Sequence, residues 1–97
     1  MVVAISVFEL HLPHSRSLKE KRRVVKSLTE RIYRRHRVSV AETDYHDLRQ
    51  RAEIGVASVS ASRHRLERQM EAIRRLIDEQ QEAVLLGWEP QYLEAAG

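Results

Sequence analysis

Ten lysines and arginines fall between residues 16 and 37, and they are the side chains in this sequence best suited to a chemical task. Only Glu20 and Glu30 oppose them, so this segment carries a formal charge of +8. Because the whole chain carries +3, the remaining residues carry −5, and the basic character is local. Phosphate is the natural complement of such a surface, so the segment predicts binding of anions, and of nucleic acid in particular.

A helix must carry these cations if they are to form one surface. The run from Ser17 to Glu20 is a capping box, in which the Ser17 hydroxyl accepts the Glu20 backbone N–H and the Glu20 carboxylate reaches back to Ser17. Steps of 100° per residue place most of the cations opposite Leu28 and Ile32. We predict a helix from there to about His36. The candidate nucleic-acid-binding residues are Arg16, Lys19, Lys21, Arg22, Arg23, Lys26, Arg34 and Arg37.

A plainer interpretation of the basic segment stays open. Lysine and arginine are good helix formers, and they often do no more than keep an exposed face in water. A solvated face normally mixes charges of both signs, as the segment from Arg63 to Arg75 does, whereas the first helix does not. Lys21 falls inside the apolar stripe by angle. We expect its stem to cover apolar surface while its ammonium group reaches water, in preference to a direct ligand contact.

Four strands and a second helix are predicted around this helix. The strands are Val2–Leu12, Val38–Thr43, Arg51–Ala61 and Ala83–Trp88, each marked by alternating or β-branched residues. A polar segment from Asp44 to Gln50 separates the middle two, which indicates a hairpin with a long loop. Ser62 can cap the second helix, which fades near Gln80.

The order of these elements, βαββαβ, predicts the fold. Each β-α-β half requires a right-handed crossover, and two such halves form a four-stranded antiparallel sheet with both helices on one face. We therefore expect an α+β, ferredoxin-like domain over residues 1–90, followed by a short disordered tail over residues 91–97. The length of 97 residues supports one hydrophobic core and no second domain.

The first strand predicts a second surface of functional interest. Val3, Ile5 and Val7 alternate with core residues, so they would line the sheet face that the helices leave open. An apolar patch of this kind is better covered than exposed, and we expect a homodimer formed through these three residues. Such a protein-interaction module is the alternative function, in which the basic helix would be only a solvated face.

The sequence favours a cytoplasmic protein. It has no cysteine, so disulfides and thiolate metal sites are excluded and nothing points to an oxidising compartment. The apolar opening run is interrupted by Glu9 and His11, and it therefore resembles neither a signal peptide nor a membrane span.

We expect no enzyme, no cofactor, no metal ion and no small-molecule substrate. The turn from Pro13 to Arg16 lacks the glycines of a phosphate-cradling catalytic loop, although Arg16 could still hold an anion at the helix start. Asp44, His46 and Asp47 could be written as metal ligands, as could His11 and His14, but turn chemistry explains such loop residues more simply. Base stacking on the sheet is disfavoured because the third strand carries no aromatic residue.

Four blocks of the sequence resemble a known family. They are Glu9–Pro13, Ser17–Leu28, Val38–Glu42 and Gln50–Ala57, and the second is the most specific. Together they are similar to the YlxP-like family, bacterial proteins of unknown function, over Met1 to about Ile77. This resemblance implies a ferredoxin-like fold, a bacterial cytoplasmic setting and genes that neighbour translation and ribosome-assembly factors. It therefore directs the expected partner of the basic helix toward RNA or the ribosome, and it supplies no catalytic residues.

Overall fold

The computed structural model describes residues 1–95 and contains two helices and five strands. In chain order the elements are β1 (Val2–His11), α1 (Leu18–His36), β2 (Ser39–Asp44), β3 (Arg51–Ser60), α2 (Arg63–Asp78), β4 (Val84–Trp88) and β5 (Gln91–Glu94). The expected α+β class is confirmed, and the first six elements follow the predicted order. Their bounds lie within two residues of the predicted ones, which is the normal uncertainty at helix and strand ends.

All neighbouring strands in the sheet are antiparallel, and β1 lies at its centre. The order is β2-β3-β1-β4, and β5 also pairs with β1, on the same edge as β4. β1 pairs with β3 along its whole length, from Val2 opposite Ser60 to His11 opposite Arg51. Its other side pairs with β5 in the first half and with β4 in the second half. The sheet therefore has a four-strand core and a short fifth strand.

The fifth strand corrects the expectation of a disordered tail after residue 90. Gln91 and Tyr92 begin a strand that pairs with β1, and the Ala95 backbone N–H donates to the Met1 carbonyl at 2.9 Å. The physical reason is that β4 covers only the second half of β1, which leaves hydrogen-bonding groups of the first half open to another strand. Pro90 ends β4 without ending the sheet. Positions 96 and 97 of the expected tail lie outside the described residues.

The core lies between one face of the sheet and the two helices. Ala4, Phe8 and Leu10 of β1 are fully buried, whereas the alternate residues Ile5 and Val7 are 39% and 40% exposed. The buried residues of α1 and α2 belong to the same apolar cluster, so both helices cover this one face. The predicted inward and outward sides of β1 are confirmed.

Both helices begin at the predicted serine caps. The Ser17 hydroxyl accepts the Glu20 backbone N–H at 3.1 Å, and the Ser62 hydroxyl accepts the Arg65 N–H at 3.3 Å. The Glu20 carboxylate accepts the backbone N–H of Arg16 at 2.7 Å. The predicted donor was the next residue, Ser17. These contacts satisfy backbone donors at the helix start and fix where the cations of α1 begin.

Candidate nucleic-acid interface

The cations predicted to bind nucleic acid lie mainly on the outer side of α1. Seven of the eight candidates are exposed, namely Arg16, Lys19, Arg22, Arg23, Lys26, Arg34 and Arg37. Among residues 1–95, only Arg23 of these seven forms an ion pair, with Glu82 at 2.9 Å. Both partners of this pair are largely exposed, so it contributes little to stability. The other six side chains keep their charge available to an external anion.

These exposed cations form a long row, which we call the α1 basic row. From Lys19 to Arg34 the helix rises about 22 Å at 1.5 Å per residue. Glu20 and Glu30 are the acids exposed within this stretch, and Glu20 already accepts the Arg16 backbone N–H. The row can therefore meet several phosphates of one polyanion at the same time.

Lys21 is the exception among the eight candidates, and both expectations for it are wrong. Its side chain is completely buried, so its ammonium group neither reaches water nor meets an external phosphate. The Nζ atom donates to Glu42 Oε2 and to the Tyr45 carbonyl, each at 2.8 Å. It also lies 3.3 Å from the carbonyl oxygens of His46 and Arg51. These four oxygens replace the solvent that the buried cation has lost.

The contacts of Lys21 give it a structural role that the sequence did not reveal. Its ammonium group joins the first turn of α1 to the segment between β2 and β3, which we call the β2–β3 loop (residues 45–50). Within this loop Tyr45 has a left-handed backbone with φ of 64°, and the Arg51 guanidinium lies 4.9 Å from its ring centre. A lone lysine within an apolar stripe was the available signal, but the partner oxygens are mostly backbone atoms and leave no trace in residue types.

The arginines of α2 lie on two sides of the helix. Arg65, Arg68 and Arg75 line a shallow depression on the side of α2 that lies next to the end of α1. Glu67 and Glu71 line the same depression, and Arg74 donates to Glu71 at 2.5 and 2.9 Å. Three arginines against two glutamates give the depression a net formal charge of +1.

The surface between the two helices is lined largely by arginine. One depression, of about 870 Å³, includes His36 of α1 together with the three arginines of α2 named above. A smaller one, of about 270 Å³, is lined by Arg31, Arg34, Arg35 and Leu76. Burial, together with the charge of Arg35, lowers the pKa of His36, so its ring is neutral at neutral pH. We call the arginines of these two depressions the interhelical arginines.

The open side of the sheet is apolar, as predicted from β1. Ile5 and Val7 are exposed and Val3 is partly covered, and Val59 and Leu93 extend this open face with exposures of 62% and 57%. The face holds a depression of about 380 Å³. Leu93 was not predicted to belong to this face, because β5 was not among the predicted strands.

β2 and β3 are closely packed at one point of this open face. Thr43 is the extra residue of a bulge in β2, and its side chain lies directly over Gly55. A Cβ atom at residue 55 would lie 2.7 Å from Thr43 Cγ2, so only glycine fits without movement. The Thr43 hydroxyl donates to Glu53 Oε1 at 2.7 Å, which holds the threonine in place.

Two of the histidines considered as metal ligands lie beside backbone carbonyl groups. His11 Nδ1 is 3.1 Å from the Gln50 carbonyl oxygen, and His46 Nε2 is 3.2 Å from that of Glu42. Within residues 1–95, no three histidine, aspartate or glutamate side chains gather closely enough to hold a metal ion. Neither helix of this part of the chain is long and apolar enough to span a membrane.

Comparisons with known proteins agree with the resemblance seen in the sequence. A family model described as "Protein of unknown function (DUF503)" matches residues 3–89. The uncharacterized protein YlxP of Bacillus subtilis (strain 168) is 40% identical over 62 residues, which cover 64% of this chain and 67% of that protein. In structure, the de novo designed protein Foldit4 is similar with a TM-score of 0.57 and 15% identity, over 99% of this chain and 100% of the design. The last similarity concerns the fold alone.

Proposed function

We propose that this chain, which belongs to the DUF503 family of YlxP-like proteins of unknown function, is a non-enzymatic cytoplasmic protein that binds structured RNA. The observation that supports the proposal is the α1 basic row, whose cations are exposed and, apart from Arg23, lack a carboxylate partner among residues 1–95. A surface that only keeps a protein in solution would mix its charges. The row is instead suited to a phosphate backbone.

Binding of this kind follows from electrostatics. Each ammonium or guanidinium group that reaches a phosphate releases condensed counterions, so affinity depends on the number of contacts and on the salt concentration. Such contacts orient the protein without reading sequence, and discrimination must come from RNA shape or from other residues. Tyr45 and His46 of the β2–β3 loop are the candidates, because Lys21 holds this loop against the first turn of α1. The choice of RNA over DNA rests on the translation-related setting that the family resemblance implies.

We further infer that the domain is a ferredoxin-like one. In support, β1 and β2 are linked through α1 with β3 between them, and β3 and β4 are linked through α2 with β1 between them. Two interleaved β-α-β units of this kind, with both helices on one face, are the pattern expected from the sequence. β5 then adds to the edge without changing the order of the first four strands.

The proposed binding is tested with two charge reversals that change the net charge by the same amount, one on α1 and one on α2. Lys26→Glu changes the α1 basic row, whereas Arg63→Glu makes the same change at an exposed position of α2 beside Tyr92. We expect Lys26→Glu to weaken binding of a labelled RNA hairpin about tenfold, the value of one charge-assisted hydrogen bond. Arg63→Glu should leave the affinity nearly unchanged. Fluorescence anisotropy near 0.1 M salt gives both values, and thermal unfolding verifies that both variants are folded.

Equal weakening by the two variants would assign the binding to net charge and contradict a site on α1. Absence of binding by the unmodified protein would contradict the proposed function as a whole.

A second candidate function is favoured by the open face of the sheet. We propose that this face pairs with the same face of a second copy of the chain to form a homodimer. The centre of the face, around Ile5, Val7 and Val59, is apolar, so two copies can stack without opposing like charges. Ile5→Asp should then convert dimer to monomer in light scattering at micromolar concentration. Leu48→Asp, at an exposed residue of the β2–β3 loop outside the depression of the open face, should not. A monomeric mass for the unmodified protein would contradict the dimer.

A further inference from the structure

We propose that the RNA-binding surface extends from the α1 basic row across the interhelical arginines, and that its ligand is a duplex whose two phosphate backbones are contacted by the two helices. This inference rests on the proposed RNA-binding function and names the class of RNA and the second half of the site. The evidence for it is the placement of the arginines on α2.

The arginines of α2 divide into two groups with different surroundings. Arg74 is held by Glu71 and lies 3.5 Å from Asp78, and Arg63 lies over the Tyr92 ring at 5.0 Å. Both of these arginines have partners within the protein. Arg68 and Arg75 have no carboxylate partner among residues 1–95, and both are exposed. The internal pairings therefore use the cations on one side of α2 and leave those next to α1 for an external anion.

The acidic residues near this surface do not cancel its charge. Glu67 and Glu71 line the same depression as Arg68 and Arg75. Three arginines line the depression against these two glutamates, which leaves it a net formal charge of +1. Glu71 in addition accepts hydrogen bonds from Arg74, a cation outside the depression. Arg31 of α1 donates to Gln80 at 2.7 Å, a neutral partner that leaves its charge in place. A net positive surface thus continues from one helix to the other.

Two rows of cations on packed helices fit two strands of phosphate. The axes of packed helices generally lie about 8–10 Å apart, so cations on α1 and α2 can reach one ligand at the same time. Arginine suits this role because its planar guanidinium group can donate two hydrogen bonds to one phosphate. A shallow surface rich in arginine also matches recognition of duplex RNA by shape and backbone.

The aromatic residues argue against single-stranded RNA as the ligand. Proteins that bind single strands stack bases on exposed aromatic rings. The larger interhelical depression is lined by His36 and His64 but by no tyrosine, tryptophan or phenylalanine, and the smaller one is lined by no aromatic ring. Tyr33 is exposed and lines a third depression, on the β2 side of α1, together with Arg34 and Val40. Among the described residues, this surface therefore offers more cations for phosphate contacts than rings for stacking.

The experiment compares Arg68→Glu and Arg75→Glu with Arg63→Glu, a matched reversal on the opposite side of the same helix. Binding of a blunt RNA duplex and of a single strand of equal length is measured by fluorescence anisotropy. We expect each of the first two variants to weaken duplex binding about tenfold, and Arg63→Glu to change it less than about twofold. The unmodified protein should bind the duplex more tightly than the single strand.

The outcomes separate this inference from the proposed function. If Lys26→Glu weakens binding but Arg68→Glu and Arg75→Glu behave like Arg63→Glu, the site is confined to α1 and the extension is wrong. Equal or tighter binding of the single strand would contradict the duplex as ligand. Tighter binding to vesicles of anionic lipid than to either RNA would replace the proposed ligand by a membrane surface. Absence of RNA binding by the unmodified protein would remove the proposed function, and the extension with it.

Discussion

The outer side of the helices and the open side of the sheet differ in surface chemistry. The helical side is basic, whereas the open side of the sheet is apolar. The helical side presents the α1 basic row and the interhelical arginines. The sheet side presents Ile5, Val7, Val59 and Leu93, and its depression is lined by one charged residue, Glu89. The first side is suited to a polyanion and the second to an apolar partner. A domain of 97 residues can therefore hold two independent binding surfaces back to back.

The same comparison explains why a count of charges along the sequence does not describe how charge is distributed over the surface. α1 and α2 both carry many arginines, but Arg74 is paired with Glu71 and Asp78, whereas Arg68 and Arg75 have no carboxylate partner among residues 1–95. Lys21, on the other hand, is a cation in the basic segment that belongs to neither surface. What distinguishes these residues is the position of their partners, and that is a property of the fold.

The largest effect is expected from Lys21→Met, which tests whether this cation supports the helical side from within. The substitution keeps the apolar stem but leaves Glu42 and three carbonyl oxygens without the ammonium group. Removal of one partner of a buried pair costs about 3 kcal/mol, and we expect the free energy of unfolding to fall by about that amount in urea denaturation. Lys19→Met, on the exposed side of α1, should change it by less than about 0.5 kcal/mol.

An unchanged stability of Lys21→Met combined with lost RNA binding would return Lys21 to the binding surface. That result would contradict the buried role described above.

A smaller effect is expected from Gly55→Ala, which tests how closely the open face is packed. The added methyl group would meet Thr43 Cγ2 at 2.7 Å, and the resulting overlap should cost about 1 kcal/mol of stability. Thr43→Ser removes that methyl group and keeps the hydroxyl that donates to Glu53. The Gly55→Ala, Thr43→Ser double variant should therefore recover most of the loss in thermal unfolding. Additive losses in the double variant would show that the contact is not the cause.

The smallest effect concerns His36, at the edge of the interhelical surface. Its folded-state pKa lies below the ordinary value of 6.5, chiefly because of burial and also because of Arg35. Below pH 6.5 the unfolded chain takes up a proton more readily than the folded one, so protonation destabilises the fold as the pH falls. The unmodified protein should lose more stability between pH 7 and pH 5 than His36→Gln does. Equal losses in urea denaturation at the two pH values would contradict this assignment.

Much of the fold could be predicted from the sequence because periodicity and caps are local signals. The alternation in β1 and the serine caps at Ser17 and Ser62 lie where they were expected. β5 could not be predicted, because its existence depends on the length of β1 that β4 leaves unpaired. For the site, exposure of the α1 cations follows from helical spacing, whereas the burial of Lys21 depends on carbonyl groups more than 20 residues away.

The most direct test of RNA binding through α1 is the salt dependence of binding to an RNA hairpin, for the unmodified protein and for Arg22→Glu, Lys26→Glu. Log K should fall linearly with log salt for the unmodified protein, with a slope that counts phosphate contacts at roughly 0.7 to 0.9 each. The double variant should bind more weakly and should show a slope shallower by about two contacts. A slope near zero, or the same slope in both proteins, would contradict the assignment of RNA binding to the α1 basic row.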